Sequence, residues 1–246
     1  AYPLIRSTHD ATSLANADEV RLWRSAAMST STPAPTAQLT SLTPTRVEGQ
    51  PQTPVDEVIQ QRGSTRRFQE TPISYADFST ILSAATVGVP GDYVSKAGAS
   101  LNEIYLIVNA VEGLSNGAYV YHRNTQELEL LKEGPYREEA GHLGLNQTLA
   151  HDAAVNVYFM ADLDKVTSNL GPRGYRAAQL DASTTAGRLY LSAYALGLGA
   201  SGLTFFDEEV TEFFGPHSTG KSVMFLVLLG APAYRKRQIG TVRDLL

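Results

Sequence analysis

Seven consecutive apolar residues, Val223 to Leu229, constrain this chain more than any other stretch. A strand with one wetted face alternates apolar and polar side chains, so an unbroken run belongs inside a sheet. The run is read as the strand at the sheet's centre. Ile104 to Val108 and Ala153 to Ala161 read as further buried strands. Gly117 to Arg123 and Glu127 to Leu131 read as a hairpin turning at Asn124-Thr125-Gln126. Helical patterns fall between these strands without a regular βαβ rhythm, and no internal repeat is present, which predicts the α+β class.

The helices are placed by their ends. Thr53-Pro54-Val55-Asp56 combines an N-cap, Pro at the first helical position and an acid three residues after the cap, and the helix runs into Arg62. Ser74 to Asp77 is a second capping box, followed by Phe78, Ile81, Leu82 and Ala85 at helical spacing. Glu138 to Ala150 is predicted as one helix. Arg173 to Leu196 is the longest pattern, stopped by Gly197. Six small residues, Ala182 to Gly187, let a ring, a backbone or a second helix come close. Asp207 is predicted to cap a short helix ending at Phe214-Gly215. Before Thr53 the signals weaken. Asn16 to Ala27 reads as one helix, and residues 29–53 are rich in Thr, Ser and Pro, a composition of linkers and extended arms. The predicted division is an arm over 1–51, a compact domain over 52–240 and a tail over 241–246.

Composition removes several chemistries. The chain has no cysteine, which excludes disulfides, thiolate nucleophiles, iron–sulfur ligation and Cys-type zinc sites. It also fits a reducing, cytoplasmic setting. The five histidines never fall at i, i+4 spacing, which argues against a histidine-built metal site. Net charge is −5, so bulk charge predicts neither nucleic-acid nor anionic-membrane binding. No apolar run approaches the ~20 residues of a membrane span. Redox chemistry would have to come from a bound organic cofactor.

The basic residues that matter are therefore local. Arg62-Gly63-Ser64-Thr65-Arg66-Arg67-Phe68 sets three guanidinium groups and two hydroxyls in six positions at a helix end. A guanidinium grips phosphate bidentately and a hydroxyl fills the gap between such grips. Taken alone, such a run is more often a solvated basic turn.

Its pattern Arg-x-Ser-x-Arg-x-Phe resembles the opening flavin-binding motif of the FMN-dependent nitroreductase-like family, and later landmarks follow in order. They are Lys96 to Ser100 leading into Glu103 to Val108, then Val111-Glu112-Gly113-Leu114 with Gly117 to Tyr121, the long helix, Leu196 to Leu203, and Leu229-Gly230-Ala231-Pro232. Val111 to Leu114 with Gly117 to Tyr121 is a phrase particularly typical of the SagB-type (ThcOx-like) dehydrogenase branch. The resemblance covers roughly residues 54–238. It implies a nitroreductase-like FMN-binding fold, a central, mostly antiparallel sheet flanked by helices, in an intertwined homodimer with FMN at the interface. Carried over by position, Arg62, Ser64 and Arg66 would hold the flavin's phosphate and pyrimidine edge, with Arg235 and Arg237 closing the phosphate site. Gly98, Ala99, Ser100 and Asn102 would approach the ring from the partner subunit. Relatives often carry Pro just before the glutamate, where this chain has Leu101-Asn102. Ser201, Gly202, Leu203 and Thr204 would lie beside the flavin's N5, with a backbone N–H stabilising it.

A dehydrogenase also needs a group to take the proton that accompanies hydride. Azoline-oxidising relatives use Lys and Tyr near the start of the long helix. Here that region reads Arg173-Gly174-Tyr175-Arg176, which leaves Tyr175 as the proton-transfer candidate. Arginine cannot serve, because it stays protonated. Three activities fit. One is a SagB-type FMN oxidoreductase acting on a small heterocyclic or peptide-derived substrate. Another is a nitroreductase or quinone-reductase-like enzyme drawing hydride from NAD(P)H. The last is a flavin-binding subunit of a modification complex without catalysis of its own.

Overall fold

The computed structural model describes residues 2–28, 34–45, 53–95 and 98–234. In chain order these form helices α1 (Pro3–Ala11) and α2 (Ala17–Ser25), strand β1 (Leu39–Ser41), and helices α3 (Val55–Gln61) and α4 (Tyr75–Ala85). Strands β2 (Glu103–Val108), β3 (Gly117–His122) and β4 (Glu127–Glu133) follow, then helices α5 (Arg137–Leu143) and α6 (Thr148–Asp152). The remainder is β5 (Val155–Ala161), α7 (Leu163–Leu170), α8 (Arg173–Ala195), β6 (Gly199–Leu203), α9 (Asp207–Phe213) and β7 (Ser222–Gly230). Seven strands form one sheet in the order β1-β4-β3-β2-β5-β7-β6, and every neighbouring pair is antiparallel.

The sheet is covered on both faces, which is why its central strands read as unbroken apolar runs. Ile104, Leu106 and Val108 of β2 pack with α4, α7 and α8 on one side. Tyr105 and Ile107, alternating with them, pack with α5, α6 and α9 on the other. β7 divides likewise, with Val227 and Leu229 facing one layer and Leu226 and Leu228 the other. It is interior but not central. β6 alone lies outside it, and β2 occupies the middle place. A continuous apolar run reports two covered faces, not a rank within the sheet.

Several predicted boundaries shift. Residues 138–150 do not form one helix. Leu145 and Asn146 take positive φ (59° and 55°), and the chain turns between α5 and α6. Gly144 makes that turn possible, because a Cβ there would stand 2.6 Å from Cβ of Ala150. Pro54, not Thr53, stands at the cap of α3, and no side chain bonds there. Asp207 begins α9 rather than capping it. Ser74 does cap α4, accepting from the Asp77 N–H at 3.0 Å, and Gly197 stops α8 with φ 74°. The N-terminal stretch holds two helices instead of one. Asn16 caps the second, accepting from Asp18 and Glu19 at 3.0 Å each.

The arm is tied to the sheet. β1 pairs with β4, and beside it Glu129, fully buried, accepts from the backbone N–H of Thr36 (2.8 Å) and Ala37 (3.0 Å) and from the Thr36 hydroxyl (3.0 Å). His122 meets its other oxygen at 2.7 Å. Burial pushes the Glu129 carboxyl up, but these hydrogen bonds outweigh burial and hold it below its ordinary value. No helix among the described residues is long and apolar enough to cross a membrane.

Candidate functional site

The arginine run is held against the sheet's outer edge. Among the described strands β6 pairs only with β7, so its other backbone edge is available to other segments. Thr65 fills part of it. Its N–H donates to the Ala200 carbonyl at 2.9 Å, and its hydroxyl lies 3.2 Å from the Tyr194 hydroxyl on α8. Gly199 is the glycine this contact requires, since a Cβ there would stand 2.3 Å from Oγ1 of Thr65. Beyond Thr65 the run joins the chain after β7, where Gln69 N–H donates to Ala231 O (2.9 Å) and Ala233 N–H to Arg67 O (3.0 Å). With Thr65 turned inward, Ser64 stays half-buried and Arg62 and Arg66 are exposed. Neither arginine forms an ion pair among the described residues, and Arg62 lies over the Tyr190 ring at 5.6 Å. Two cations without an ion pair among the described residues therefore stand beside a glycine-bearing edge strand. Replacing Gly199 by Ala is expected to cost about 1–3 kcal/mol through overpacking on Thr65, read as a drop in thermal midpoint of several degrees. An unchanged midpoint would mean that Thr65 does not anchor the run.

Ser201 to Thr204 occupy this same edge. Ser201 is buried, Gly202 and Leu203 are half-buried and Thr204 is exposed. The Gly202 N–H points away from β7 and donates to the Tyr190 hydroxyl. Within the segment that the resemblance places beside flavin N5, this backbone donor is thus taken by a phenol. Arg235 and Arg237 lie outside the described residues.

Gly98, Ala99, Ser100 and Asn102 form a second group. Gly98 adopts φ 81°, and a Cβ there would meet only the Val87 carbonyl, at 3.8 Å. The next residues wrap a buried carboxylate of α8. Oδ2 of Asp181 accepts from Ser100 Oγ at 2.5 Å, from Asn102 Nδ2 at 2.8 Å and from Leu101 N–H at 2.9 Å. Asn102 Nδ2 also donates to Ala178 O at 2.9 Å. Asn102 Oδ1 and Arg123 Nη1 are buried without a hydrogen-bond partner among the described residues. Burial pulls the Arg123 guanidinium down from its ordinary pKa, while the Asp181 carboxylate acts in the opposite sense. This segment enters β2, three strand places from β6, about 14 Å at ordinary strand spacing. One protomer does not bring the two groups together.

Tyr175 stands apart from the β6 group but lies one helical turn from Ala178, whose carbonyl accepts from Asn102. It sits in the first turn of α8, fifteen residues before Tyr190, or about 22 Å along the helix. It is 46% exposed and accepts from Gln179 Nε2 at 3.4 Å. It lines a cleft of about 750 Å³ with Leu163, Asp207, Glu212, Lys221 and Met224. The flanking arginines are engaged elsewhere. Arg173 donates to the Thr12 carbonyl at 2.9 Å and lies over the Trp23 ring, and Arg176 lies 3.2 Å from His9 Nδ1. They do not hydrogen-bond to the Tyr175 hydroxyl. Tyr190, Tyr194, Asp181 and Arg123 are the supporting residues that sequence reasoning does not single out. Gly199, packed against Thr65, is the visible signal at that edge.

This architecture has known counterparts. The sequence profile of the Nitroreductase family matches residues 59–230, most of the chain. The chain belongs to that family. A nitroreductase-like protein of Methanocaldococcus jannaschii is 29% identical over 164 residues, covering 64% of this chain and 82% of its own. A solved nitroreductase-like structure from Anabaena variabilis is 30% identical with a TM-score of 0.65, covering 72% of this chain. The present chain spans only 38% of the length of that protein. The NADPH:FMN oxidoreductase of Vibrio harveyi, solved with NAD+, shares the fold at 18% identity and a TM-score of 0.51, covering 76% of this chain and 72% of its own.

Proposed function

We propose that this Nitroreductase-family chain is an FMN-dependent oxidoreductase of the SagB type, acting on a small heterocyclic or peptide-derived substrate. The observation that carries the cofactor assignment is the pair Arg62 and Arg66, exposed and without an ion pair among the described residues beside the Thr65-anchored edge of β6. The residues fit the group. Two forked cations and the Ser64 hydroxyl suit a phosphate and an electron-rich ring edge. FMN, when bound, supplies two-electron hydride chemistry. Arg62, Ser64 and Arg66 bind and orient it, with Arg235 and Arg237 assigned to the phosphate. Ser201 to Thr204 line the ring, and a guanidinium at the pyrimidine edge stabilises negative charge there.

The second protomer completes the site. Gly98 to Asn102 lie three strands away from β6 within one chain, so they serve a flavin held by the partner. Exposed apolar side chains favour such a dimer: Val55 (66% exposed) and Ile59 (54%) on α3, and Leu180 (58%) on α8. Tyr175 is the proton-transfer group assigned to the substrate, reached from the cleft at the start of β7.

An absorption spectrum of the purified protein tests the reading, followed by NADPH without oxygen. Flavin bands near ~450 nm are expected. Bleaching by NADPH would shift the assignment to a reductase fed by nicotinamide, and resistance to NADPH is expected for an enzyme reduced by its own substrate. Bound flavin that no donor or substrate reduces would indicate a non-catalytic flavin-binding subunit. A colourless protein that takes up no added FMN would overturn the proposal.

A further inference from the structure

Histidine spacing argues against a metal site built from histidines alone, but the fold assembles a mixed one from distant positions. Glu70 follows the arginine run, and His151 and Asp152 end α6. One ligand atom from each lies within 4.8 Å of the other two. Nδ1 of His151 is 2.9 Å from Oδ1 of Asp152, and its Nε2 is 3.6 Å from Oε1 of Glu138. The backbone holds this arrangement from both sides. Arg137 Nη1 donates to the His151 carbonyl at 2.7 Å, and the Gln69 N–H donates to Ala231 O at 2.9 Å, fixing the turn that carries Glu70.

We infer that Glu70, His151 and Asp152 form a binding site for a borderline first-row divalent cation, with Zn2+ the natural probe. The donor set is one imidazole and two carboxylates, a combination suited to such ions. Zinc–ligand bonds of about 2.0–2.2 Å require donor atoms about 3.3 Å apart, so the exposed Glu70 side chain closes the remaining gap by rotation. Glu138 has the place of the outer carboxylate that orients a ligating histidine through its second ring nitrogen. Charge favours a cation as well. Three carboxylates surround one imidazole, and the adjacent Arg137 guanidinium donates to a backbone carbonyl. The bound ion would tie the turn after the arginine run to the end of α6. The inference is independent of the flavin assignment.

The test is calorimetric titration of Zn2+ into the full chain, purified without an affinity tag and stripped with chelator. One Zn2+ per chain is expected. His151→Ala and Asp152→Asn should each weaken binding by at least about 100-fold, and Glu138→Gln, losing only the orienting carboxylate, by about 10-fold. His142→Ala is the control, because His142 pairs with Glu209 elsewhere at 2.5 Å, and it should bind as the parent does. Zn2+ should raise the thermal midpoint of the parent and not that of His151→Ala, and the melts also show that each variant is folded. Absence of binding at millimolar Zn2+ would overturn the assignment. So would binding that survives His151→Ala and Asp152→Asn, or that is lost in His142→Ala.

Discussion

Arg66→Ala is expected to lower FMN affinity by about 10- to 100-fold while leaving the thermal midpoint of the flavin-free protein unchanged. The magnitude is that of one charge-assisted contact, about 1.5–3 kcal/mol. The folded chain itself should barely notice the change. Arg66 is exposed and makes no ion pair among the described residues, so truncation removes no intramolecular partner. Its neighbour Thr65 carries the structural load, through the Ala200 carbonyl and the Tyr194 hydroxyl. Binding and stability therefore separate at adjacent positions.

Two companion variants sharpen the test. Arg66→Lys keeps the charge and loses the planar fork, so affinity should fall between parent and alanine. Arg67→Ala removes an equal charge one residue along, and its effect should be the smaller. Equal losses at Arg66 and Arg67, both relieved by salt, would report diffuse attraction to a basic turn. An unchanged flavin content in Arg66→Ala would remove the assignment of the run as a phosphate or ring site.

The strands and the longest helix were legible because each carries its reason locally. β2, β5 and β7 are apolar on both faces, and the hairpin of β3 and β4 turns on three polar residues. α8 has a continuous small and apolar stripe ended by Gly197. What escaped depends on partners far along the chain. β1 is three residues of ordinary polarity and exists because β4 offers an edge and Glu129 receives the Thr36 backbone. The break between α5 and α6 rests on positive φ at Leu145 and Asn146, residues that carry no turn signature as strong as glycine. The arginine run was visible as chemistry, but not its attachment, since the pairing of Thr65 with Ala200 joins segments with no common local pattern. Asp181 was the deepest omission. In the sequence it is one acid beside a stretch of small residues, and only the fold shows three donors converging on it.

That convergence sets the largest expected stability effect in the protein. Asp181→Ala should destabilise it by about 3–5 kcal/mol, a fall of about 6–20 °C in thermal midpoint for a chain of this size. One oxygen, Oδ2, receives Ser100 Oγ, Leu101 N–H and Asn102 Nδ2 in a site only 3% exposed. Side chains can turn to other partners, and Ser100 also lies 3.1 Å from the Asn102 carbonyl. The Leu101 N–H cannot turn without moving the backbone, so it would be stranded away from water. The largely buried Arg123 guanidinium loses its neighbouring negative charge at the same time. Asp181→Asn separates these contributions. An amide oxygen in place of Oδ2 can still accept from Leu101, while the charge beside Arg123 is gone, so its cost should be clearly smaller than that of alanine. The same segment, Gly98 to Asn102, is the one assigned to the partner's flavin. Asp181→Asn should therefore retain flavin more fully than Asp181→Ala when both are measured below their melting transitions. A loss of less than about 1 kcal/mol in Asp181→Ala would mean that the segment does not depend on this carboxylate. Its position would then have to come from β2 and the α8 backbone alone.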